Sequence, residues 1–146
     1  MIKIETRDFG TIEVSENDVY DFPNGIYAFE DNKRFALLSP LGDDVYPRWL
    51  QSMDDPALCF IVFNPILIDG GFSITLDDSE RSVLGLSKDD DVTALVIAKV
   101  PADYKHTTVN MKSPIVINKS NRRAIQVILP LDYPFRMPVY ESREVI

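Results

Sequence analysis

The chain predicts an all-β protein with one or two short helices, built as a small β-barrel-like single domain. Three observations lead there. Three apolar runs rich in Val, Ile and Phe, Leu58–Phe63, Val92–Val100 and Arg123–Leu129, are bounded by Pro, Gly, Asn or Asp, as buried strands are. Many further short runs alternate apolar and polar residues between turn signals. Only one segment, Asp77–Leu86, has the start of a helix followed by a usable helical stretch. At 146 residues, 45% hydrophobic and 26% charged, the chain can bury a core of its own.

From the start, Ile2–Arg7 and Thr11–Val14 read as paired strands around a Phe9-Gly10 turn. The alternation of Met1–Arg7 is that of a first strand, not the apolar core of a signal peptide. Ser15–Asp21 reads as a polar connection. Asp21-Phe-Pro-Asn-Gly25 is a turn, since Pro fixes φ and Gly accepts positive φ. Ile26–Glu30 is either one helical turn or an extended piece, and Phe35–Leu38 is a short buried strand. A Pro/Gly loop with Asp43 and Asp44 exposed leads to the only Trp, and Leu58–Phe63 follows. Phe72–Leu76 reads as a half-buried strand by alternation. Asp77, Asp78 or Ser79 can cap the helix, and early acids suit its N-terminus. Ser87–Asp91 is a charged loop, and Val92–Val100 is an interior strand rather than a helix because Val and Ile favour β. Ile115–Asn118 and Arg123–Leu129 form a hairpin whose second strand is apolar on both faces, as in a closed or two-layered sheet. Residues 138–146 read as a mobile tail.

Composition narrows the function. No stretch approaches 18 apolar residues, so no membrane helix is expected. Cys59 is the only cysteine and reads as a small buried hydrophobe, and the cytoplasm is the expected compartment. The net charge of −8 is uneven. Residues 1–105 hold 20 acids against 9 bases, a balance of −11, and residues 106–146 hold 3 acids against 6 bases, a balance of +3. Phosphate backbones repel such a chain and basic proteins attract it, though acidity also serves solubility. With one His and one Cys, no zinc site is expected. His106 lacks a nucleophile to serve, and there is neither a G-x-S-x-G nor a phosphate loop. The acid pairs fit caps and solvated loops better than calcium sites. No catalytic, metal or cofactor residues are therefore assigned, and the reading is a binding domain. The alternative is a small β-barrel enzyme binding flavin or another cofactor, for which Lys119, Arg122 and Arg123 are the one basic cluster.

Three stretches carry a family resemblance: Trp49-Leu-Gln-Ser-Met-Asp-Asp-Pro-Ala-Leu-Cys-Phe-Ile-Val-Phe-Asn-Pro65, Thr107-Thr-Val-Asn-Met-Lys-Ser-Pro-Ile-Val-Ile-Asn118 running on into Arg123-Ala-Ile-Gln-Val127, and Phe22-Pro-Asn-Gly-Ile-Tyr-Ala-Phe-Glu30. Together they resemble the bacterial flagellar assembly factors of the FliW family over nearly the whole chain. Ala28 stands where the family pattern has a second Gly. The resemblance implies a β-barrel-like, cytoplasmic, non-enzymatic binder of two proteins: flagellin, and the carbon storage regulator CsrA, an RNA-binding repressor of flagellin translation. Free factor would take the regulator off the messenger, and unsecreted flagellin would capture the factor and release the repressor. Within the matching stretches the candidate partner-binding residues are Trp49, Asp54, Asp55, Asn110, Lys112 and Asn118. Each has a second reading. Trp49 can be an anchor or core, Asp54 and Asp55 can meet a basic partner or form a turn, and the other three can satisfy backbone groups at strand ends or face a partner.

Overall fold

A computed structural model describes residues 1–87, 90–130 and 132–140. Its strands are β1 (Ile2–Thr6), β2 (Gly10–Val14), β3 (Val19–Asp21), β4 (Arg34–Leu38), β5 (Arg48–Ser52), β6 (Cys59–Phe63), β7 (Val92–Lys99), β8 (Thr108–Val109), β9 (Ile115–Asn118), β10 (Arg123–Gln126) and β11 (Met137–Pro138). Two short helices, α1 (Pro65–Ile68) and α2 (Asp78–Leu84), follow β6.

Seven of the strands close a barrel in the order β7-β6-β5-β4-β3-β10-β9, and β9 pairs back onto β7. All contacts around it are antiparallel except the seam, where β3 and β10 run parallel with one register pair, Asp21↔Arg123. The Asp21 N–H donates to Arg122 O at 2.8 Å there. Beyond β7 the short strands β8 and β11 extend the sheet outside the barrel.

The two-residue period of a strand sorts the side chains into three cores. Phe35 and Leu37 of β4, Leu50 of β5, Val62 of β6, Leu95 of β7, and Ile115 and Ile117 of β9 fill the barrel. Their neighbours point outward but are also buried. On one side Ala36, Leu38 and Val19 meet the β1–β2 hairpin through Ile4 and Val14. On the other, Phe63, Val96, Val116 and Ile125 are covered by Phe72, by Leu84 of α2 and by the chain through Val127 and Leu129. Covering both faces is why the barrel strands are continuous apolar runs and not alternating ones.

The helix is set as its sequence indicates. Asp77 caps α2, its side chain accepting from Glu80 N at 2.7 Å while the Glu80 side chain accepts from Asp77 N at 2.9 Å. Gly85 ends it at φ 62 in the left-handed region. Elsewhere the structure departs from expectation. Ser15–Asp21 contains a 3-10 turn at Glu16–Asp18 and then β3, too short to register as a strand in sequence. Phe72–Leu76 is not a strand: its apolar side chains pack, but its backbone joins no ladder. The strand expected to reach Leu129 ends at Gln126, and the Val127 and Leu129 N–H groups go to Pro114 O and Lys112 O instead. The expected tail is partly tied down. Pro138 lies in β11, Val139 N donates to Thr107 O at 3.0 Å, and Tyr140 meets Tyr104 edge-on at 5.5 Å. The remainder of that tail, 141–146, and residues 88 and 89 of the expected charged loop lie outside the described residues.

The Phe22–Glu30 loop shows what the departure at Ala28 means. Gly25 is required at φ 67, because a Cβ there would stand 2.6 Å from the backbone of Glu30. Ala28 keeps the left-handed conformation, φ 74, despite its methyl. That conformation costs an L-residue about 1–2 kcal/mol. Ala28→Gly should therefore stabilise the fold by up to about 1 kcal/mol, after the entropy Gly adds to the unfolded chain. Urea unfolding with a matched slope measures it; the backbone Ala28 N–H bond to Glu30 Oε2, 3.0 Å, is kept by the variant, so no change would mean that Ala bears this conformation without strain.

Candidate partner-binding surface

Trp49 stands on the outward face of β5, under the hairpin turn. Its indole N–H donates to Asp8 Oδ2 at 2.9 Å, and Phe9 meets its ring edge-on with centroids 5.5 Å apart. Asp8 also takes a two-pronged contact from Arg7, Nε to Oδ1 at 3.1 Å and Nη2 to Oδ2 at 2.9 Å. The Arg7 bond holds the Asp8 carboxyl below its ordinary value; burial opposes it less strongly, and the Trp49 bond adds a smaller lowering. Arg7 reaches on to Cys59 O at 2.9 Å. Burial pushes the Cys59 thiol up to about 11, with Arg7 opposing, so it stays protonated and packs as a hydrophobe. Trp49 is thus half core and half surface, and the Phe9–Trp49 pair forms one flank of the hairpin side of the molecule.

Asp54 and Asp55 are exposed in the β5–β6 turn, and both do turn work. Asp54 Oδ2 accepts from Lys33 N at 3.2 Å, and Asp55 Oδ1 accepts from Ala57 N at 3.0 Å. The turn itself hangs on a residue that the sequence reading passed over. Gln51 is fully buried, and its Nε2 lies 3.1 Å from the carbonyls of Ser52, Pro56 and Leu58, two N–H groups shared among three acceptors. Its Oε1 accepts from Arg7 N at 3.0 Å. One amide therefore fixes the turn that presents Asp54 and Asp55 and the hairpin end that presents Asp8 and Phe9. The sequence around it, Arg-Trp-Leu-Gln-Ser, is mixed and gives no sign that this amide is buried, yet its burial demands partners.

The three candidates from the second matching stretch lie elsewhere. Asn118 belongs to β9, across the barrel from β5. It is fully buried, its Nδ2 donating to Leu84 O at 3.0 Å and its Oδ1 accepting from Ser120 N at 3.1 Å and Ser120 Oγ at 2.8 Å. The partner-facing alternative for Asn118 is therefore corrected: with Asn121, whose Nδ2 also reaches Leu84 O, it satisfies the last carbonyls of α2. Asn110 Oδ1 accepts from the N–H groups of Lys112 and Ser113, holding the turn before β9. Lys112 is half-buried and its carbonyl receives Leu129 N. Trp49, Asp54 and Asp55 thus share β5 and the turn after it, while Asn110, Lys112 and Asn118 are not brought to them.

Two concavities flank this region. A cavity of about 470 Å³ opens at the barrel mouth, with Tyr20, Asp43, Asp44, Tyr46, Arg48, Thr93 and Lys119 around it. Arg122 and Arg123 do not line it, and Arg123 turns toward the end of α2, with Nη1 3.5 Å from Val83 O. The basic cluster that a cofactor phosphate would need is split. A second, more apolar groove of about 480 Å³ runs beside β2.

The class of protein is a closed seven-strand β-barrel, covered on both faces and acidic in net charge. The pattern of the FliW protein family matches residues 3–139, and the chain belongs to that family. It is 36% identical to the flagellar assembly factor FliW of Caldicellulosiruptor bescii over 140 residues, 95% of this chain and 91% of that protein. To the FliW of Syntrophus aciditrophicus it is 34% identical over 146 residues, 99% of this chain and 92% of that one. A crystal structure of the flagellar assembly factor FliW superposes with a TM-score of 0.86 at 34% identity, covering 97% of this chain and 99% of that one.

Two outcomes follow from the geometry. Gln51→Leu should cost about 2–3 kcal/mol in urea unfolding, because the Ser52 and Pro56 carbonyls lose a donor and the Arg7 N–H loses its acceptor. The Asp8 link should titrate. Its folded-state value lies below the ordinary 3.8, so its stabilising contribution is full above 3.8 and is lost as pH falls through the folded value. Fluorescence of Trp49 should change in that acid window, and Asp8→Asn should remove the change.

Proposed function

We propose that this protein is a non-enzymatic regulatory binding protein of flagellum assembly, working in the cytoplasm. It binds flagellin, and when free of flagellin it binds the translational regulator CsrA and relieves repression of the flagellin messenger. The observation that carries this reading is membership of the FliW family across residues 3–139, with about nine-tenths of the length of the curated relatives covered. The relatives are named as assembly factors, and no enzymatic activity is ascribed in those names.

Electrostatics supports the choice of an RNA-binding protein as one partner. An RNA-binding face is basic, and residues 1–105 carry a balance of −11. An acidic body docked beside such a face lowers the potential that draws phosphate, without needing to fill the RNA site. The same balance argues against direct RNA binding by this chain, which lacks the electrostatic funnel such modules use.

Calorimetric titration with CsrA, repeated after saturation with flagellin, tests the reading. Binding to CsrA that flagellin abolishes is the expected result, with affinity falling as salt is raised from 50 to about 300 mM as the charge contribution is screened. Binding to flagellin alone would leave an export chaperone, and binding to neither would sink the reading.

A further inference from the structure

The groove beside β2 is a site to which neither the family nor the relatives' names assign a role. One wall is the edge of the hairpin, Phe9 and Ile12 to Ser15, and the other is Leu37 to Pro40 with Asp43. Its floor is apolar, Leu38 being buried and Ile12 half-buried. Phe9, at its end, is exposed and braced edge-on against Trp49.

Two independent observations say what would lie in it. First, β2 has a free edge. Among the described residues, the backbone of Thr11–Val14 pairs only with β1, and the other side of the strand meets no ladder. Sheet edges are ordinarily blunted, and the far edge of the main sheet is, by Pro138 in β11. β2 holds no proline, only the charge of Glu13 stands on it, and five residues of strand are enough to pair an incoming chain. Second, the lining carries three carboxylates against two positive groups, a balance of −1. Glu13, Asp18 and Asp43 are exposed along it, against Arg48 and the Met1 amino end. Arg48 is held back from the groove's open side by its neutral partners, donating from Nε to Ser39 Oγ at 2.9 Å and lying 5.8 Å over the Tyr46 ring.

We propose that the free edge of β2 and the apolar groove beside it receive an extended segment of a basic protein partner, with apolar residues and Lys or Arg in alternation. Paired to β2, such a segment sets every second side chain over Leu38 and Pro40. The intervening side chains lie level with Glu13 on the outer face, within reach of Asp18 and Asp43. Backbone pairing gives affinity regardless of sequence, the floor selects apolar residues, and the carboxylates reject acidic segments. This deepens the two-partner reading above by giving the basic partner a place. An acidic partner would have to bind elsewhere.

The direct probe is a ten-residue peptide alternating Lys and Val, titrated into isotope-labelled protein and followed by amide resonances. Signals of residues 10–15 and the Trp49 indole should shift saturably, and a Glu/Val peptide should leave them in place. The triple variant E13K/D18K/D43K should bind the Lys/Val peptide at least about tenfold more weakly with its unfolding midpoint retained, since three exposed attractions become repulsions. Shifts confined to other surfaces, no shifts, or equal binding by the variant would overturn the site. The same variant is then titrated with CsrA. Loss of that binding supports the assignment of the groove to the basic partner, and undiminished binding overturns it. If the parent protein does not bind CsrA at all, the two-partner reading fails on its own, and the groove stands or falls on the peptide result.

Discussion

A small closed barrel must bury two faces of every strand with one short chain, and most of this structure follows from that constraint. The interior is filled by the strands themselves. The exterior needs separate covers, and the chain supplies one at each end. The N-terminal hairpin lies over β3, β4 and β5, and α2 with the segments around Phe72 and Val127–Leu129 lies over β7, β9 and β10. Burying apolar surface on both faces contributes about 25 cal/mol for each Å² removed from water, so a barrel left uncovered on one side would forfeit a large part of its stability. The covers are not accessories to a finished fold; the outward residues Ala36, Val96 and Val116 presuppose them.

Covers made from separate pieces of chain need polar fastenings at their borders, and two buried amides provide them. Gln51 ties the hairpin end to the β5–β6 turn, and Asn118 ties α2 to β9. Each is fully buried, where an unpaired amide would be costly, so each specifies one docking geometry for its cover. This accounts for two of the polar residues inside the stretches that carry the family resemblance, Gln51 and Asn118, whose hydrogen-bond partners lie within the chain.

The legibility of the fold follows the same division. The barrel strands β4, β6, β7, β9 and β10 were readable because both-face burial writes long apolar runs. The cap of α2 was readable because Asp77 and Glu80 stand three apart before Gly85, a purely local pattern. β3 was not, since three residues carry no period, and its place at the seam is fixed by Arg122 and Arg123 more than a hundred positions away. Phe72–Leu76 has a strand's alternation without a strand's partner, and alternation alone reports burial on one side, not pairing. At the candidate surface, Trp49, Asp54 and Asp55 were found by residue type and their proximity is a consequence of β5. The groove beside β2 was hidden, because its walls come from residues 9–15 and 37–43 and only the docking of the hairpin brings them together.

The same docking explains why a binding surface arises at this border and not at the other. The β1–β2 hairpin has only two strands and lies in a sheet of its own, so it brings unpaired backbone with it wherever it packs. The opposite cover is made of a capped helix and of chain whose N–H groups go to Pro114 and Lys112, which leaves no comparable edge among the described residues. Acidic side chains around the hairpin keep that edge in solution, because a second copy of this acidic chain would meet it with like charge. What protects the edge from self-association also selects what can reach it: a segment of opposite charge neutralises the guard and finds the backbone behind it. Solubility and specificity are here two consequences of the same carboxylates.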